Sequence, residues 1–314
     1  MNDHESAFCA FLDERIADIR KISEGHINRT YLVNESYVLQ CLNSDLYKDH
    51  VRILSDNYDI YSNACRERSF DRHIWKCPEW LAGRNGSRFY TGENGSIWRM
   101  YWYIPSDLPD DHRYPVSIYE MGRGIGKLHF ILKDCTGIKA VPSTAHIHDI
   151  QFHYDKYIRQ NDPKQERIAD LDRAIEDGIN DMLAVTSPQD SIIHGDAKCG
   201  NMIFQNGEVV GFIDLDTLME GSVFDDIADC ARTMAADANG RCDMRLVEEL
   251  LGGYEDGAKT SLARGAAKLT AKYVARSRFT LGIRYYTDYL SGANYFAEER
   301  PGQSLERAKE LLTD

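Results

Sequence analysis

Asp196 and Asn201 lie five positions apart in the run His194-Gly195-Asp196-Ala197-Lys198-Cys199-Gly200-Asn201, and Asp214 follows thirteen positions after Asn201, at the end of Phe212-Ile213. A carboxylate at Asp196 can accept or orient the proton of a hydroxyl nucleophile. Asn201 supplies a neutral oxygen and Asp214 a charged one, a pair suited to a hard cation such as Mg²⁺. Phosphoryl transfer needs this combination, because its barrier is set by alignment and charge neutralisation. Asp196 is therefore read as the base, and Asn201 and Asp214 as the metal ligands. His194 is expected to hold the loop through backbone hydrogen bonds. Asp216 has two readings of equal weight, help for a second cation or stabilisation of the loop.

The elements around this run divide the chain in two. Residues 5–19 carry Phe8, Leu12, Ile16 and Ile19 at helical spacing. Strand-like runs then cover 27–33 and 37–42, joined by Asn34-Glu35-Ser36, and residues 49–68 read as a helix. A second hairpin is expected over 89–91 and 97–104, closed by Pro105. Beyond Pro105 the pattern is helical over 117–134, 148–160, 164–186, 243–255, about 262–291 and 304–312. Only short strands near 192–194, 202–205 and 208–214 interrupt it. The expectation is an α+β chain: residues 1–104 form a small antiparallel-sheet N-lobe with one long helix, and residues 105–314 a larger, mostly helical C-lobe carrying the catalytic loop.

Bulk properties narrow the chemistry further. The 314 residues carry 37 Lys and Arg against 50 Asp and Glu, a net charge of −13, and 43% are hydrophobic. Such a balance disfavours a nucleic-acid partner. The acidic, polar start and the lack of a long apolar stretch point away from a signal peptide and a membrane span. Eight cysteines include no C-x-x-C pair, which fits a reduced, cytoplasmic protein with free thiols. A monomer is the expectation, since no coiled-coil heptads occur. Asn85-Gly86-Ser87 and Asn94-Gly95-Ser96 read as turns rather than glycosylation acceptors. Gly122-Arg123-Gly124-Ile125-Gly126 lies in a helical pattern, so it is not a dinucleotide loop. His146, His148 and His153 match no metal spacing and read as a solvated loop and helix start.

With these residues in view, the chain resembles the aminoglycoside phosphotransferase branch of the kinase-like superfamily, and within it the N-acetylhexosamine 1-kinase-like proteins. The resemblance rests on Gly25-His26-Ile27-Asn28-Arg29-Thr30-Tyr31-Leu32-Val33, Tyr37-Val38-Leu39-Gln40-Cys41-Leu42-Asn43, the catalytic run, and Ile213-Asp214-Leu215-Asp216-Thr217-Leu218-Met219. Near the C-terminus it takes in Leu281-Gly282-Ile283-Arg284-Tyr285-Tyr286-Thr287-Asp288-Tyr289-Leu290, Tyr295-Phe296 and Pro301-Gly302.

The resemblance implies a two-lobed kinase-like fold, ATP and Mg²⁺ as cofactors, and a small sugar or alcohol as acceptor. Backbone N–H groups of the loop at Gly25, Ile27 and Asn28 are expected to cover the nucleotide phosphates, with the adenine near Tyr101, Trp102 and Ile104. Lys198 is expected to reach the transferring phosphate, and Asp226 to anchor the catalytic loop. Gln40 stands where the phosphate-binding lysine of the N-lobe belongs, so that cation and its ion pair are missing. His26, Arg284 and Tyr295, with Asp196, are the implied sugar contacts. The acceptor so favoured is the anomeric hydroxyl of an N-acetylhexosamine. Another small alcohol (an aminoglycoside, choline or homoserine) is the alternative, and a nucleotide-binding pseudokinase is a third reading.

Overall fold

The structure is a computed structural model that describes residues 3–22, 28–68, 75–107, 116–160, 164–292, 295–296 and 300–313. Helix α1 spans Asp3–Phe11 and is followed by strands β1 (Ile19–Lys21), β2 (Arg29–Val33) and β3 (Tyr37–Leu42). The opening helix is thus shorter than its apolar spacing predicts. Leu12, Ile16 and Ile19 still pack against the cluster of Phe8, Val33, Leu39 and Trp98, but from a loop and a strand. The short α2 (Ser44–Tyr47) and long α3 (Val51–Arg68) lead to β4 (Tyr90–Thr91) and β5 (Ile97–Trp102). The five strands pair antiparallel in the order β1-β2-β3-β5-β4. Both Asn-Gly-Ser sites are turns: Ser87 and Ser96 N–H donate to the side chains of Asn85 and Asn94 at 2.9 and 3.0 Å.

The remainder is mostly helical: α4 (Ile118–Leu132), α5 (Ile150–Ile158), α6 (Ala169–Leu183), α7 (Val223–Met234), α8 (Met244–Ala258), α9 (Ala266–Ser291) and α10 (Gln303–Leu312). Strand β6 (Ser191–Ile193) pairs with β9 (Met219–Gly221), and β7 (Met202–Gln205) with β8 (Glu208–Phe212). Besides the short β1, α2 and β9, helix α7 is the element the pattern reading passes over. Its inward face, Phe224, Ile227, Ala228 and Ala231, is interleaved with three aspartates that are also buried.

Packing of α4 on α8 explains the glycine run. A Cβ at Gly122 would stand 1.9 Å from the Leu250 carbonyl oxygen, and one at Gly126 2.3 Å from that of Tyr254. The glycines let two helix backbones touch. The two parts of the chain are stitched near the linker: Asp107 N–H donates to the Phe204 carbonyl (2.7 Å), and Gln205 Nε2 to that of Pro105 (2.8 Å). No described helix is long and apolar enough to cross a membrane.

Candidate active site

The loop after β6 is held from beneath by Asp226 on α7. Its Oδ1 accepts the Gly195 N–H (2.8 Å), and its Oδ2 accepts the His194 N–H (2.7 Å) and faces His129 Nε2 (2.8 Å). Burial raises the Asp226 carboxyl, but His129 and the His194 N–H outweigh it, so the group lies below the usual carboxylate range. His194 is fully buried and serves as a spacer. Its Nδ1 accepts the Asp196 N–H (3.2 Å), which puts the ring proton on Nε2, donated to the Ile213 carbonyl (2.9 Å). The structural reading of His194 and the anchoring reading of Asp226 both match these contacts. Gly195 adopts φ +81°, and a Cβ there would lie 2.4 Å from the Thr217 carbonyl oxygen, so the loop demands glycine.

This backbone presents Asp196 on the loop's open side. Lys198 Nζ donates to Asp196 Oδ2 at 2.7 Å, and Asn201 Nδ2 donates to the same oxygen at 2.9 Å and to the Asp196 carbonyl at 2.8 Å. Asn201 therefore spends its amide protons on Asp196, which leaves Oδ1 as the atom that could take a cation. The β7–β8 hairpin brings Asp214 to the same place, since Ile213 N–H donates to the Asn201 carbonyl (2.9 Å). Asp214 sits in the left-handed region (φ 61°), which is uncommon for a residue other than glycine. Burial, then Asp216 and Asp196, push its carboxyl up to about 6, against the opposing Lys198 and Arg99. A negative site of this kind favours a divalent cation.

The donor set fits Mg²⁺ held jointly with phosphate. Among the described residues no three His, Cys, Asp or Glu side chains cluster into a protein-only metal cage. Asn201 and Asp214 instead offer two oxygens, and Mg²⁺ takes its remaining ligands from water and substrate phosphates in such sites.

Asp216 is committed to Arg99. It is 1% exposed and accepts from both Nη groups of Arg99, at 2.5 and 2.9 Å. Of its two readings, the structure carries the loop-stabilising one. Arg99 lies opposite Gln40 in the β3–β5 register and donates Nε–H to Gln40 Oε1 (2.8 Å), while Gln40 Nε2 donates to Thr30 Oγ1 (3.1 Å). Gln40 is thus committed to its neighbours. Asn28 is buried, and its Oδ1 accepts the Asn43 N–H (3.0 Å). Tyr101 and Trp102 close β5, with Trp102 exposed and 4.7 Å from the Tyr37 ring, and Ile104 follows in the linker. Gly25, His26 and Ile27 lie outside the described residues.

Asp196 and Arg284 line one cavity, together with His148, Asp225, Asp229, Arg232 and Arg276 among others. Arg284 reaches Tyr295, its Nη2 3.3 Å from the hydroxyl, and stacks over Tyr295 and Phe296. Asp288 fixes that corner by accepting the Tyr295 and Phe296 N–H groups at 3.1 and 3.3 Å. His148, expected to be solvated, is instead half-buried against the loop: its Nε2 donates to the Gly195 carbonyl (2.9 Å). Burial lowers its pKa, but Asp225, Asp229 and Asp226 together raise it above the ordinary histidine value. Cys199, although within the catalytic run, points into the core, 1% exposed and 3.7 Å from Cys230, and not toward the site.

Residues 18–263 match the model of the phosphotransferase enzyme family (APH), which is more than half of the chain. The chain belongs to that family. Solved structures agree on the kinase-like fold. They include aminoglycoside 2'-phosphotransferase-IIIa in complex with GDP (13% identity, TM-score 0.63, 95% of this chain and 93% of that one). The streptomycin–ATP ternary complex of APH(2'')-IIa is similar at 15% identity and TM-score 0.62, covering 95% and 92%. Macrolide 2'-phosphotransferase MphH from Brachybacterium faecium matches at 14% identity and TM-score 0.57, covering 94% and 92%. At these identities the likeness carries the fold and not the acceptor.

Arg99, His129, His148, Arg232 and Arg276 are site-region residues that the sequence reading missed. For Arg99 a signal was present, a lone cation inside the apolar strand Ile97-Trp98-Arg99-Met100-Tyr101.

Proposed function

We propose that the protein is an ATP- and Mg²⁺-dependent small-molecule kinase that phosphorylates a hydroxyl of a compact, neutral sugar, with the anomeric hydroxyl of an N-acetylhexosamine as the favoured acceptor. The observation that carries this is the convergence of Asp196, Asn201 and Asp214 beside the cavity that also holds Arg284. Asp196 Oδ2 is occupied by Lys198 and Asn201, so Oδ1 is the oxygen for the acceptor hydroxyl, whose proton it takes or orients. Asn201 and Asp214 would hold Mg²⁺, whose charge would offset that of the nucleotide phosphates. In this reading Lys198, which now donates to Asp196, passes to the transferring phosphate. The boundary at 104/105 would separate the nucleotide-covering N-lobe, with Gly25, Ile27, Asn28, Gln40, Tyr101, Trp102 and Ile104, from the acceptor-binding C-lobe, and His26 is kept as a further acceptor contact.

The cavity supports a small neutral acceptor. At about 80 Å³, it is a narrow cleft beside the roughly 300–1,000 Å³ of pockets that take drug-sized ligands. Its three carboxylates are matched by Arg232, Arg276 and Arg284, and Asp225 is already engaged by Arg276 (3.6 Å). A polycationic acceptor would meet three arginines there. Arg284 and Tyr295 offer an N–H fork and an aromatic face, which suit an acyl carbonyl and a sugar ring.

The test is a nucleotide-consumption screen with Mg²⁺ over N-acetylhexosamines, plain hexoses, aminoglycosides, choline and homoserine, followed by phosphorus NMR of the product. A sugar 1-phosphate is the expected result. Preference for an aminoglycoside would sink the acceptor assignment. ATP binding without turnover on any member would favour the pseudokinase reading.

A further inference from the structure

Arg99 is the only buried lysine or arginine among the described residues, 2% exposed. Taking a guanidinium out of water costs several kcal/mol unless its donors are well matched. Here they are matched on three sides. Nε donates to Gln40 on β3, both Nη atoms donate to Asp216 in the turn after β8, and the guanidinium stacks 4.7 Å from the Trp80 ring centroid. The residue therefore ties the N-lobe sheet to the turn that carries Asp214. A buried pair of this kind is weak evidence for stability, since apolar side chains of similar volume serve stability as well. Its placement is the informative part. One end is held by the side chain that stands in the phosphate-lysine position, and the other lies two residues from a ligand of the proposed cation.

We infer that Arg99 is a positioning residue that supplies the missing lysine's structural role: through its two-pronged grip on Asp216 it sets the distance between the sheet and the Asp214 turn, and so the presentation of Asp214 to cation and nucleotide. It touches neither group and acts through Asp216. The fork geometry is essential, because two parallel N–H···O bonds fix the carboxylate's plane, which a lysine's single ammonium does not. Gln40 belongs to the same device, holding Arg99 in the rotamer that reaches Asp216. The inference rests on the kinase reading above.

The test measures ATP binding by calorimetry, with no acceptor present, as a function of Mg²⁺ concentration, beside urea unfolding. Arg99→Lys keeps the charge and is expected to weaken MgATP binding about tenfold or more and to raise the Mg²⁺ concentration at half-saturation. Binding of ATP in EDTA should shift less than about threefold. Gln40→Met, which frees Nε but leaves the ion pair, should show a smaller effect in the same direction, and it serves if Arg99→Lys does not fold. Leu171→Ala, in the separate α5–α6–α9 core, provides a destabilised comparison whose MgATP binding should match wild type. Wild-type MgATP affinity and Mg²⁺ dependence in both Arg99→Lys and Gln40→Met would overturn the inference, leaving Arg99 a packing residue. Failure of the wild type itself to bind MgATP would instead remove the kinase reading on which it stands.

Discussion

Replacing Asp226 by Asn tests the scaffold beneath the catalytic loop, and its cost can be worked from three contacts. The carboxylate is fully buried and accepts from two backbone N–H groups and His129, at 2.7 to 2.8 Å. Asn keeps one acceptor oxygen. Whichever way its amide is turned, the NH₂ group faces a backbone N–H, and a buried donor is left unsatisfied at roughly 1–3 kcal/mol. A charge-assisted bond worth roughly 1.5–3 kcal/mol is lost as well. Relief from burying a charge offsets part of this, so the net expectation is about 3–5 kcal/mol, the range for breaking a buried ionic network. The assay is urea unfolding of both proteins across pH. Because the folded carboxyl lies below its ordinary value, its contribution is full above the unfolded pKa of about 4 and is lost as pH falls through the folded value. The gap between the two proteins should therefore be widest near pH 7 and shrink under acid. An Asp226→Asn variant within about 1 kcal/mol of wild type at pH 7 would refute the reasoning, as would a gap that does not narrow.

Asp214→Asn should behave in the opposite sense. Its carboxyl is pushed up to about 6, so its ionisation opposes folding as pH rises through that value; the variant should melt above wild type at pH 7.5 without metal and match it near pH 4, by differential scanning fluorimetry. Gly122→Ala forces a Cβ to 1.9 Å from the Leu250 carbonyl, and since a backbone cannot step aside, it should cost 3 kcal/mol or so, at the upper end of overpacking effects, read as a lowered melting temperature. Cys199 is 1% exposed, so a maleimide should label exposed Cys9 in minutes and leave Cys199 unmodified until the protein unfolds, as peptide mass mapping would show.

The catalytic run was legible because its chemistry is local: Asp196, Lys198 and Asn201 meet within six residues, and Asp214 returns by a tight hairpin. The main strands and helices were legible from their periodicity. Opaque features depend on distant partners. The Arg99–Asp216 pair spans 117 positions and His129–Asp226 97, and no periodicity encodes such meetings. Helix α7 is opaque because buried aspartates break its apolar stripe, and two of them, Asp225 and Asp226, meet His129, His148 and Arg276 from elsewhere in the chain. The opening helix was overextended because Leu12, Ile16 and Ile19 keep helical spacing while packing from a loop and β1. Asp216 was ambiguous until its partner was visible.

The central claim is that Asp196, Asn201 and Asp214 form one Mg²⁺-dependent phosphoryl-transfer centre. It is tested most directly by phosphate transfer from γ-labelled ATP to N-acetylhexosamine, comparing wild type with Asp196→Asn at equal folded concentration. Loss of the base should cost about 10²–10⁴-fold in turnover while MgATP affinity stays within about threefold, and EDTA should abolish transfer in both. Undiminished transfer by Asp196→Asn, or transfer that survives chelation of the metal, would contradict the account.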